Sequence, residues 1–403
     1  MHDPTLMVSE ENPLGAWMPY GRVRVEGASD GPLQGLEFAA KDNFAVAGVP
    51  TSMGNALLLE QNDVPTTTDP LVEACLNAGG TLVGKAHMDE FGWSISGVNR
   101  HFGTPVNPAA PDRIPGGSSS GPVSLVSAGV VPFALGGDGG GSARTPASYT
   151  GILGIRATYG RPIEEDPSSP KMTSSGVHGW FARDADLFLT LGSILLHDWH
   201  PAPAPGQAFF AEDLWAVCDD GVLDACGNGL AAIESVLGAA TPISLAQGEL
   251  PAWRDAFNHI HNAEFWASMG KWYETNNPLL GEDIASRFEI AQQQAPEVAD
   301  AAWALRHHIR KRMWGLLADN AIIVAPSAVG PAPLRNASFD ELEVRRRAAF
   351  QLMCPAGHAQ LCQVSLPLAT VDGAPVGISL IAAPGNDELL LEVTRDVMRA
   401  AAL

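Results

Sequence analysis

Positive charge is scarce in this sequence. Lysine and arginine number 24 against 45 aspartates and glutamates, a formal net charge of −21. Affinity for nucleic acid comes mainly from Lys and Arg on phosphates, so this balance disfavours nucleic acid as a partner. Cysteine is sparse too: Cys75, Cys218, Cys226, Cys354 and Cys362 are scattered, odd in number and form no CxxC pair. That argues against a disulfide framework and for free thiols in a reducing compartment. Long apolar runs are missing. LFLTLGSILL at 187–196 is too short to span a bilayer, and MHDPTLMVSEENPLG lacks the basic and apolar regions of a signal peptide. The expectation is a soluble, cytoplasmic protein that binds neither nucleic acid nor membrane.

What the chain has is size and apolar content. It holds 403 residues, 46% of them hydrophobic, enough for a large core. Strand-like runs alternate with helical patterns. LEFAAK (36–41), TLVGKA (81–86), VVPFALGG (130–137) and AIIVAPS (321–327) read as strands. QVSLPL (363–368) and APVGISLI (374–381) flank an Asp372-Gly373 turn. DPLVEACLNAGG (69–80) reads as a helix, with Asp69 as N-cap, Pro70 at the first helical position and Gly79 at the end. The last residues, 387–403, form an amphipathic helix with Leu390, Val393 and Val397 on one face. This alternation predicts an α/β fold with a mixed sheet. From about 203 to 320 helical patterns dominate, broken by short strands such as LWAVCDD, with APAPG (202–206) as the boundary. We expect one domain over 1–403, with 203–320 an embedded helical layer that shapes a pocket.

Three clusters carry chemistry. The first is GGDGGGSAR (136–144), five glycines around one aspartate at the end of a strand. Successive glycine N–H groups make a nest for negative charge. A phosphate loop would need a lysine after its last glycine, and the GxGxxG pattern fails because Ser142 stands where the last glycine should be. A serine beside backbone donors fits acyl transfer instead. The second cluster is PGGSSSG (115–121). Its serines open a helix, and N-capping is the plain reading. Gly117 to Gly121 also matches GxSxG with Ser119 as nucleophile, but that elbow needs a strand just before it. NPAAPDRIPGG, with three prolines and two glycines, is no strand. The third is Lys41, at the end of an apolar strand and flanked by Ala39, Ala40 and Phe44. Burial would lower its pKa and make it a base. His307-His308 and the pair His197 and His200 have metal-like spacing but polar, surface-like surroundings. No metal or cofactor is expected.

In this order, Lys41, GGSSSG and GGS-A-R resemble the amidase signature family of serine hydrolases. Residues 116–161 are similar to the signature itself. MDEFGWSISGVNRHFGTPVNP (88–108), GWFARD (179–184) and 363–381 are similar to flanking family segments. The likeness is greatest to the branch that includes plant indole-acetamide hydrolases, and it is thin over 200–320. The resemblance implies a large mixed, twisted sheet with helices on both faces. It implies a Ser–cisSer–Lys triad: Ser142 as nucleophile, Ser118 as the bridging serine after a cis Gly117-Ser118 peptide, and Lys41 as base. Ser119 would support the network, and Gly139, Gly140, Gly141 and Ser142 would supply the oxyanion hole. Asp138 and Arg144 would pair to brace the loop. Met88, Trp93 and Trp180 are candidate pocket residues. The substrate would be a small uncharged amide, an aryl or indolyl acetamide among the choices, cleaved to a carboxylate and ammonia or an amine. A homodimer is compatible with this. The alternative is a non-hydrolytic subunit, or an amidotransferase component that works only with a partner. Departures are Gly137 and Gly139 where threonines are usual, Pro122 in the helix after the serines, Thr150 in place of a common cysteine, and Gly176 in place of an aspartate.

Overall fold

Ten short runs of β-favouring residues pair into one mixed sheet in the computed structural model of the protein, which describes residues 5–6, 12–163 and 173–402. In chain order they are β1 (Glu37–Lys41), β2 (Thr81–Ala86), β3 (Phe133–Asp138), β4 (Leu153–Arg156), β5 (Val177–Ala182), β6 (Ala208–Ala211), β7 (Thr241–Ile243), β8 (Ile322–Pro326), β9 (Cys362–Val371) and β10 (Ala374–Ala382). Their order across the sheet is β2-β1-β3-β5-β4-β9-β10-β8-β6-β7. β1 is parallel to both β2 and β3, the centre is antiparallel, and β6 is parallel to β8 and β7.

Alternate residues along each strand enter different cores, as a period of two demands. Phe38 and Ala40 pack on one face, Ala39 on the other; Ile322 and Val324 divide from Ile323 and Ala325 in the same way. Both faces are therefore covered, which explains why TLVGKA is buried at every position. One face carries α1 (Pro70–Asn77), α4 (Ala185–Leu195) and α9 (Asp387–Ala401). The other carries α2 (Ser120–Ser127), α3 (Arg144–Thr150), α5 (Leu250–Asn276) and α8 (Phe339–Ala359). Between α5 and α8 in sequence lie α6 (Glu282–Gln293) and α7 (Pro296–Leu316).

Local chemistry fixes most boundaries. The Asp69 side chain accepts from Leu71 N, Pro70 opens α1, and Gly79 follows the last turn at φ +93°. Asp372 and Gly373 both take positive φ, and β9 and β10 pair antiparallel across them. Leu390, Val393 and Val397 of α9 are buried. Two expectations need correction. LWAVCDD is not a strand: Glu212–Trp215 is a helical turn, and the strand is the preceding β6. β3 starts at Phe133 rather than at Val130, because Pro132 has no N–H for a ladder and Val130 is exposed.

Candidate active site

The site forms on the sheet face that carries α2 and α3, at the C-terminal ends of β1 and β3. Alternation along β1 sends Lys41 to this face together with Ala39. The side chain is buried, and Nζ donates to Ser118 Oγ at 2.7 Å. Ser118 ends the proline- and glycine-rich loop before α2, after a cis Gly117-Ser118 peptide. Ser119 occupies the cap position of α2 without capping it; its hydroxyl donates to Gly137 O at 3.4 Å. No strand precedes it, so the elbow geometry is not formed. Ser120 meets His87 Nδ1 at 2.8 Å.

Ser142 follows β3 at the end of the glycine loop and opens on the same cavity as Lys41 and Ser118, with a volume of about 260 Å³. Asp138 organises that loop. Its carboxylate accepts from the N–H of Gly141 (2.9 Å) and Ala143 (3.1 Å), and from Arg144 Nη2 (2.7 Å) and Nε (2.9 Å). Arg156 Nη1 donates to the Asp138 carbonyl at 2.6 Å. Arg144 extends the brace to Gln363 Oε1 of β9 and Met353 O of α8. The bond to Asp138 corrects one expectation: the Gly141 N–H is already engaged, so Gly139, Gly140 and Ser142 are the donors the loop can offer an oxyanion. Thr150 Oγ1 donates to Pro146 O within its own helix. Pro122 falls in the first turn of α2, where a missing N–H is harmless.

The electrostatics follow from burial and partners. Removal from water pushes the Lys41 ammonium down to about 8, while Asp89 and Asp138 pull it back up. Burial alone would raise Asp138; Arg144 and Arg156 outweigh it and hold the carboxyl well below the usual range. His261 of α5 also lines the cavity, 2.5 Å from Ser175 Oγ through Nε2. Burial, with Arg306 next, keeps it neutral at about 3.

The walls are aromatic. Trp93 stacks on Phe265 at 4.0 Å with 6° between the planes, and Phe91 and Phe350 add further ring surface. Lys41 is the only lysine or arginine among the described residues lining the cavity. Met88 and Trp93 line it as expected. Trp180 does not: it points into the opposite core and donates from Nε1 to Phe188 O. The parity of β5 decides this, since neighbouring residues on a strand face opposite ways. His307 and His308 sit exposed on α7, and the described residues contain no cluster of three His, Cys, Asp or Glu fit for a metal.

Sequence reading missed three side chains here. Arg156 lies in GIR and Asp89 in MDEFGWS, both charged residues in apolar runs, a signal of burial with a partner. His261 reaches the cavity only through tertiary packing of α5, whereas Phe265 belongs to the aromatics of 251–317, some of which the sequence already offers as pocket lining.

A mixed sheet with a buried lysine–serine pair and a glycine-rich loop over one cavity is the framework of a hydrolase of α/β class. The chain belongs to the amidase family, whose description, Amidase, matches residues 15–209 and 252–391, and it is an amide C–N hydrolase. It is 34% identical to Amidase 1 of Arabidopsis thaliana over 418 residues, covering 96% of this chain and 98% of that one. It is 26% identical to a glutamyl-tRNA(Gln) amidotransferase subunit from Halobacterium salinarum, covering 93% and 97%. A crystal structure of an amidase aligns with a TM-score of 0.81 at 25% identity, covering 92% of this chain and 85% of that one.

Proposed function

We propose that the protein hydrolyses a small, uncharged aryl or indolyl acetamide through an acyl-enzyme on Ser142, in the cytoplasm. The observation that carries this reading is the 2.7 Å contact of Lys41 Nζ with Ser118 Oγ at the cavity that Ser142 also lines. Neutral Lys41 takes the Ser118 proton as Ser118 takes that of Ser142. The freed Ser142 oxygen attacks the amide carbonyl, and the N–H groups of Gly139, Gly140 and Ser142 meet the oxyanion. The relay then returns the proton to the departing amine, and water cleaves the ester. With Lys41 near 8, about one lysine in ten is neutral at pH 7, against about one in a few thousand for an exposed lysine. The stacked rings suit a flat aryl group, and the lack of a free cation at the walls disfavours a carboxylate-bearing substrate.

The test is a serine-directed fluorophosphonate, with the adduct mapped by peptide mass, followed by ammonia release from aryl acetamides. An adduct on Ser142 that is lost in Lys41→Ala is the expected result. Ser142→Ala should lower turnover by at least 10³-fold. An adduct on Ser119 instead, or none, would overturn the scheme. The relation to an amidotransferase component favours a second reading, activity only with a partner protein. Ammonia release by the purified chain alone would exclude it.

A further inference from the structure

A second carboxylate stands behind the lysine–serine pair. Asp89 is fully buried, and two contacts tie it to the segment that carries Ser118 while a third holds it within its own loop. Its N–H donates to Ser118 O at 3.2 Å. Its Oδ2 accepts from Gly97 N at 2.9 Å. The carboxylate lies against the Cα of Gly117, where an added Cβ would fall 2.2 Å from Oδ2. That contact explains why residue 117 is glycine. Gly117 N in turn donates to Ile95 O at 2.9 Å, so residues 89–97 grip the 117–118 peptide from two sides. Among the described residues, no hydrogen bond of good geometry reaches the other oxygen, Oδ1, which is also buried. A buried carboxylate oxygen left without a donor is costly, and it persists where a charge nearby compensates.

The cation on that side is Lys41, which reaches Ser118 Oγ while the Asp89 N–H reaches Ser118 O. The groups facing Asp89 are the Lys41 ammonium from β1, the Gly97 N–H, the Ser94 hydroxyl and the Asp283 carboxylate of α6. Lys41 faces Asp89 and, from β3, Asp138. Asp138 is already neutralised by Arg144 and Arg156. Glu90, next in sequence, turns away to Asn55 and His101. Asp283 is shared with Arg287, which also pairs with Glu343.

We propose that Asp89 is a positioning residue that governs when Lys41 is free to accept the Ser118 proton, a role that rests on the Ser142–Ser118–Lys41 reading above. An ionised Asp89 holds the proton on Lys41; a protonated Asp89 releases it. Burial, first, and Asp283 push the Asp89 carboxyl up, so both states are reached near neutrality. Asp283, at the partly exposed side of α6, then acts on the lysine indirectly through Asp89.

The experiment measures the rate of fluorophosphonate labelling of Ser142 against pH in the full chain, beside thermal melts. Asp89→Asn removes the anion next to Lys41, so the acidic limb moves to lower pH by about one unit. Asp283→Asn leaves more positive charge near Asp89, keeps Asp89 ionised, and moves the limb to higher pH. Opposite shifts support the proposal. A slower rate with an unmoved limb in both variants assigns Asp89 a purely structural role and overturns it, as do shifts of the same sign. If Asp89→Asn does not fold, the Asp283→Asn limb decides alone: an upward shift supports the proposal, and an unmoved limb overturns it. Absence of Ser142 labelling in the parent protein is a separate result, which overturns the proposed function first.

Discussion

Asp138 has a larger share of the glycine loop than its single position suggests. Its carboxylate satisfies two loop N–H groups and two nitrogens of Arg144, and its own carbonyl receives Arg156. The pair with Arg144 is wholly buried, so breaking one side leaves uncompensated charge rather than a mere missing bond. Asp138→Asn should therefore cost about 3–5 kcal/mol in a urea unfolding series. It should also lower kcat more than it raises KM, because Gly141 and Ala143 lose the anchor that aims their neighbours at the oxyanion. Unchanged kcat in a folded variant would show that the loop keeps its shape without the carboxylate. By contrast, Ser119→Ala removes one long hydrogen bond to Gly137 O, and its expected cost is about 1 kcal/mol or less.

Within the loop as an element, the three glycines after Asp138 are not equivalent. A Cβ on Gly139 would meet Thr173 Oγ1 at 3.6 Å and His261 Cε1 at 3.8 Å, ordinary contact distances. A Cβ on Gly141 would meet Met353 Cγ at 2.8 Å, and its φ is +118°. Gly139→Ala should leave stability within about 0.5 kcal/mol of the parent. Gly141→Ala should lose roughly 2 kcal/mol or more, together with Ser142 labelling. Denaturant midpoints and the fluorophosphonate rate of the two variants check this. Only part of the site is legible in the sequence. Lys41, Ser118 and Ser142 stand out because each sits in a local pattern: the end of an apolar strand, a Pro-Gly-Gly break, a glycine run after a strand. The caps of α1 and the Asp372-Gly373 turn are legible for the same reason, since side chains and backbone there bond within a few residues. Trp180 misleads because an aromatic near a motif says nothing of which sheet face it takes. LWAVCDD misleads because a short apolar run fits either a strand or a helical turn. Asp89 and His261 become visible only when α5, α6 and residues 89–97 are packed against the loop.

Across the whole molecule, buried titratable groups of two kinds set the response to acid, and their signs oppose. His87, His261 and His358 are buried and held neutral, pushed down to about 4, 3 and 4, chiefly by burial. Their folded values lie below the unfolded one. The stability they contribute is complete above about pH 6.5 and falls with pH, each by about 1.4 kcal/mol per unit until its folded value is reached. Asp89, Asp387 and Glu264 are pushed up, burial being the largest cause for each. Their native forms bind protons that the unfolded chain does not, so they add stability as pH falls toward the unfolded value near 4. The acids' gain offsets part of the histidines' loss between about pH 6.5 and 4. Below about 4 the three acids contribute no further gain. There Asp138, held down by its arginines, begins to lose its contribution as well. The denaturant midpoint should therefore fall below about pH 4, where the acids' gain has ended while His261 and Asp138 both still lose stability. A substitution isolates the sign. His358 Nε2 lies 2.8 Å from Trp253 O, a contact the amide of His358→Gln can replace. With one histidine removed, one source of acid loss is gone, so the midpoint of this variant should fall less than that of the parent as pH drops from about 6.5 to 5. A variant whose midpoint follows that of the parent over that range would show that His358 contributes nothing to the acid sensitivity.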